Sequence, residues 1–183
     1  MQIAKHTKAN NISEYVLYMY QIEDIIRANQ LDLNTIETTI LKPQIKDEAL
    51  FSSYQSWYKT IINQMKVEGI QKKGHLSEIN ETLMEISLLH NTLINIVKDK
   101  KYLAAFEKAL PNLKEFQSKS QSPDINIIEI GFNALYSKII LRLKKTTISS
   151  ATEEAFETIS TLFAYIAAYY KKMKAGDLSF ANN

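Results

Sequence analysis

Four glycines and three prolines in 183 residues constrain this chain more than any motif it carries. β-Sandwiches and barrels turn repeatedly on Gly and Pro, and doubly wound α/β folds use glycine-rich loops after their strands. With so few of either, the chain is suited to long helices joined by a few loops. The patterning agrees. No segment reads as a strand, whereas apolar residues recur at helical spacing through most of the sequence. With 45% hydrophobic and 23% charged residues, the composition is neither that of a disordered segment nor that of a membrane protein. The expected fold is all-α, an antiparallel helical bundle of six or seven helices in a single domain over 1–183.

The first helix is expected from Ile12 to Asn29, with Asn11 as N-cap and Glu14 three residues on in a capping-box arrangement. Its apolar face carries Tyr15, Met19, Ile22 and Ile26. A second, short helix from Asp32 to Leu41 stops before Pro43. A third runs from Asp47 to Glu68, and Gly69 follows it as a left-handed cap. A fourth runs from Leu76 to Lys98 with Ile79, Leu83, Ile86, His90, Leu93 and Val97 on one face. A fifth begins near Asp99, and Pro111 must break or kink it. Gln117 to Pro123 reads as a loop. The sixth helix runs from Asp124 to Lys145, and the seventh starts at Ser150, which forms a capping box with Glu153. Residues 1–10 are expected to be a mobile arm and 175–183 a mobile tail. Helices one, four and six are expected to supply the centre of the bundle.

Several function classes lack support. The chain has no cysteine, so disulfides, thiol nucleophiles and Cys-based metal sites are excluded. Its histidines are His6, His75 and His90. His75 and His90 are about four turns apart on one helix axis, too far to share a metal ion. Glu78, Glu81 and Glu85 read as a solvated helix face. No P-loop, dinucleotide fingerprint or nucleophile elbow occurs, and no cofactor is implied. The net charge of +2 is spread over scattered lysine clusters at expected helix ends, which suits helix dipoles better than nucleic acid. No segment reads as a signal peptide. The longest apolar run, Leu162 to Tyr170, is far below the roughly 18 residues of a membrane span. A cytoplasmic protein without membrane association is expected.

Four polar residues fall inside apolar helical stripes: Glu23, Arg27, His90 and Arg142. Glu23 and Arg27 are spaced i,i+4 in the order that favours an ion pair, which would compensate a buried carboxylate. Lys and Arg together number 22, yet only Arg27 and Arg142 are arginine. A guanidinium can hold a carboxylate or phosphate through two bonds, so its sparing use suggests bidentate geometry. A buried His90 needs a hydrogen-bond partner. The four could form one interior network that fixes helix register. They could instead form an anion pocket in which the arginines hold a ligand and His90 exchanges a proton. Tyr15, Tyr18 and Tyr20 crowd the first helix, so at least one should reach a surface, where tyrosine suits a protein interface.

The stretch Tyr15-Val-Leu-Tyr-Met-Tyr-Gln-Ile-Glu-Asp-Ile-Ile-Arg27-Ala carries a further signal. With Trp57-Tyr58, Glu68-Gly69, Gly74-His75-Leu76, Leu89-His90, Ala134-Leu135-Tyr136, Leu141-Arg142-Leu143 and Ile148-Ser149, it resembles an uncharacterised bacterial family known only as a domain of unknown function. The likeness runs in order over nearly the whole chain. It departs at Tyr20, where the family commonly has Trp, and aromatic character is kept. The resemblance implies an all-helical cytoplasmic protein and assigns no activity, substrate or cofactor. The expected function is that of a non-enzymatic interaction protein, a homodimer that binds a protein partner or a small ligand. The alternative is an enzyme or ligand-binding protein with the interior anion pocket. Nucleic acid is the least favoured partner.

Overall fold

A computed structural model describes residues 2–120 and 125–177. Among these the structure is helical throughout, with no strand. Helix α1 spans Gln2–Asn10, α2 Ile12–Ala28, α3 Leu33–Ile36, α4 Lys42–Gln44, α5 Glu48–Val67, α6 Ser77–Thr92, α7 Lys100–Lys119, α8 Ile127–Leu143 and α9 Ser150–Ala175. Two π-helical turns, Glu37–Leu41 and Leu93–Val97, join α3 to α4 and extend α6.

Most helix starts follow from short polar side chains that satisfy first-turn amides. Asn11, Asp47, Asp99 and Asn126 each accept from one or two backbone N–H groups of the helix that follows. Helix α9 is capped by Ser149 rather than Ser150, and Glu153 turns to cations on α8 instead of closing a capping box. Helix α6 is the exception. Its N-cap is Leu76, whose side chain cannot cap. Glu68 of the preceding helix end accepts from the Ser77 amide at 2.7 Å in its place.

Three segments differ from the sequence pattern. Residues 2–10, which read as a mobile arm, form α1. Ala4 and Thr7 are buried, and Lys8 pairs with Glu78 at 2.5 Å across to α6. The second helix does not end before Pro43. A π turn precedes α4, so Pro43 sits in the first turn of a restarted helix, where its missing N–H is tolerated. Pro111 does not break α7, which is helical from end to end. Ala105, Ala109 and Leu113 are buried on its inner face, and their packing outweighs a local penalty of about 3 kcal/mol. The expected sixth-helix start at Asp124 and part of the loop before it lie outside the described residues, as does most of the tail, 178–183.

Helix α9 packs on α2, α6, α7 and α8, and α8 also meets α2, α6 and α7. The centre therefore includes α9 as well as the helices expected there. The connection from Lys144 to Ser149 spans at most about 20 Å. Helix α8 is about 25 Å long, so it and α9 run antiparallel. Gly131 permits their close approach, because a Cβ there would lie 2.3 Å from the Phe163 ring. Phe132 and Phe163 meet edge-on beside it, ring centres 4.7 Å apart.

Candidate functional site

Among the described residues Glu23 is the one carboxylate in the core, with no exposed surface. It lies on α2 facing the loop that leads into α6. Its Oε1 accepts from the Leu76 amide at 2.9 Å, and its Oε2 lies 2.6 Å from His75 Nδ1. Isolating a carboxylate from water is costly, and two directed donors at these distances offset that cost. Arg27, one turn on, holds the same loop from the other side. It donates to the carbonyls of Ile70 and Gly74 and to Asp24 Oδ1 at 3.0 Å. The Glu23–Arg27 pair expected from i,i+4 spacing is present at 3.9 Å, longer than the contact of either partner elsewhere. Its role is to clamp a loop rather than to join a deeper network.

The ring of His75 stacks on Tyr20, centres 3.8 Å apart and planes 8° from parallel. Tyr136 meets Tyr20 edge-on and donates its hydroxyl to Asp24 Oδ2 at 2.7 Å. The imidazole is thus held by its Nδ1, by one face and by the loop backbone. Its Nε2 makes no hydrogen bond among the described residues. The side chain is 29% exposed and borders a cleft of about 380 Å³. That cleft lies between the start of α8, the end of α7 and the 74–75 loop, and Tyr20, Ser120, Glu129 and Asn133 also line it. Ser120 Oγ is buried there and has no hydrogen-bond partner, alone among buried side-chain nitrogens and oxygens of the described residues. Burial, and then the Glu129 and Glu23 carboxylates, push the Tyr20 hydroxyl well above the usual tyrosine range, so it remains a neutral donor.

The four residues singled out by stripe position do not meet. Glu23 and Arg27 are adjacent. His90 lies some 15 residues beyond His75 along α6, about 20 Å away. It is buried at 3% exposure, with Nδ1 2.6 Å from the Tyr102 hydroxyl and its ring against Phe106. Burial lowers its pKa to about 4, so it is a neutral core residue near pH 7. Arg142 is not interior. Its side chain is 63% exposed and bonds Glu153 at 3.4 Å, beside Lys138. An anion pocket built on Arg27, Arg142 and His90 is therefore not formed. Among the described residues no group of three His, Cys, Asp or Glu side chains could hold a metal ion, and no helix is long and apolar enough to cross a membrane.

The residue that stripe analysis misses is His75. It precedes a helix, so no helical projection includes it. The available signal is indirect: a carboxylate at an apolar position requires donors, and Gly74-His75-Leu76 is one of the pieces that carry the family resemblance.

A fixed imidazole bonded through Nδ1 to a buried carboxylate presents Nε2 as a hydrogen-bonding group with no partner among the described residues. Ser120 Oγ is not bonded to it, so no serine nucleophile relay is assembled. No curated protein and no solved structure matches the chain. A family model does match residues 1–177, and the chain belongs to the family described as domain of unknown function DUF4924.

Proposed function

We propose that the cleft beside His75 binds a small polar molecule, with His75 Nε2 as a group that hydrogen-bonds to it. The observation that carries this reading is the pairing of a fully buried Glu23 with His75 Nδ1, which leaves Nε2 without a partner among the described residues on a ring that lines the cleft. The volume is within the range of small-molecule sites. The test is a fragment titration followed by the imidazole ¹⁵N resonances. Saturable shifts at His75 but not at His90, lost in His75→Phe, are expected. A polar library that leaves His75 unmoved at millimolar concentration refutes the site.

A second reading is the homodimer and protein-interaction role. It is favoured by Met84 and Leu88 on the outer face of α6 and Ile96 in the π turn beyond, which are 65%, 69% and 71% exposed. Apolar side chains in one row on a solvent face suit an interface. Sedimentation that shows a monomer at tens of micromolar refutes a dimer. A cytoplasmic setting in a bacterium, implied by the family resemblance, goes with either reading.

A further inference from the structure

The polar groups on the cleft wall also specify a ligand charge. Resting on the site proposed above, we infer that the cleft recognises a protonated amine, with Glu129 as its counter-charge and His75 Nε2 accepting a second N–H or O–H from the same molecule. Among the described residues no lysine or arginine lines the cleft. Glu129 does, and it is half-buried with no ion pair among the described residues. Its negative field reaches the neighbouring Tyr20 hydroxyl, together with that of Glu23. An anionic ligand would meet the field of Glu129 with no cation among the described lining residues, Arg27 being held behind the Gly74 carbonyl and paired with Asp24, whereas an ammonium would neutralise Glu129.

The hydrogen-bond inventory points the same way. Glu23 is the acceptor for His75 Nδ1, so Nδ1 carries a proton, and a ring with that one proton can only accept at Nε2. Glu129 is likewise acceptor-only when ionised. Asn133 is adaptable, able to donate or accept. The two groups with fixed roles both call for donors on the ligand. An amine that also carries a hydroxyl or a second amino group matches this arrangement. The site is distinct from the anion pocket that the arginine positions suggest in the sequence, and its polarity is opposite.

The test uses ethanolamine, putrescine and glucosamine as amine probes, with acetate and inorganic phosphate as anionic ones. Each is titrated against the ¹⁵N-labelled full chain at constant ionic strength. At least one amine should shift the His75 imidazole and Asn133 side-chain signals saturably, while neither anion does. Glu129→Gln keeps the side-chain shape and should weaken that amine by about fivefold or more, the loss of one partly screened ion pair. Anions that shift His75 where amines do not would refute the ligand class and leave the cleft as a site. An unchanged amine affinity in a folded Glu129→Gln protein would remove Glu129 as the counter-charge. A His75 signal unmoved by every probe, and by the wider polar library above, would overturn both the amine inference and the site.

Discussion

Glu23→Gln is the perturbation that most directly interrogates the loop clamp. The replacement keeps length and volume, so no cavity is made. Its amide oxygen can still accept from the Leu76 N–H, now at 2.9 Å from Oε1. Its NH₂ must then occupy the place of Oε2, facing His75 Nδ1 across 2.6 Å. Two donors cannot face each other, so the imidazole must move its proton to Nε2 and accept at Nδ1. The charged hydrogen bond becomes a neutral one. Bonds to charged groups contribute about 1.5–3 kcal/mol and neutral ones about 0.5–1.5, so the expected loss is about 1–2 kcal/mol. In a chain of this size that corresponds to a melting temperature lower by about 2–8 °C. Glu23→Ala leaves the Leu76 amide and His75 without their partner and should lose about 3–5 kcal/mol. Urea unfolding gives the stability, and long-range ¹H–¹⁵N spectra of the imidazole give the tautomer. A Glu23→Gln protein in which His75 keeps its proton on Nδ1 would refute the donor assignment. One as stable as the parent would refute the clamp.

Three further outcomes follow from other sites. Burial holds the His90 pKa near 4, below its ordinary 6.5, so the folded state disfavours its protonation. Its contribution is complete above pH 6.5 and falls progressively towards pH 4, by about 3 kcal/mol in all; His90→Gln should flatten that part of the urea-midpoint profile. Gly131→Ala forces a Cβ to within 2.3 Å of the Phe163 ring and should destabilise by about 1–3 kcal/mol in chemical denaturation. Arg142→Lys, at a 63% exposed position, should leave both the urea midpoint and amine-probe binding unchanged; a marked loss of either would return Arg142 to the interior.

Local chemistry made much of the fold legible. Asn11, Asp47 and Asp99 mark helix starts because their side chains reach first-turn amides without help from distant residues. The prolines misled for the converse reason. Pro111 is locally unfavourable, but its helix is held by packing against α9 that a local pattern does not contain. Stripe position located Glu23 and His90 in the core. It failed for Arg142, which lies in the last turn of α8, where Leu143 is itself 69% exposed. It could not find His75, whose role depends on a carboxylate 52 residues earlier in the chain.

The borrowed start of α6 has a consequence for the order of assembly. Leu76 contributes no cap, and the amides of Leu76 and Ser77 are satisfied by Glu23 and Glu68. The Leu76 amide therefore gains its bond only once the chain between α2 and α6 has closed into a loop, which opposes early formation through lost chain entropy, and the Ser77 amide once the shorter 68–77 loop has closed. Helices with their own caps, such as α2 and α7, are under no such requirement. The segment that positions His75 should be among the later parts of the chain to become ordered. In exchange with heavy water, the Leu76 and Ser77 amides should be released with separation of α2 and α5 from α6 rather than with fraying of α6 alone.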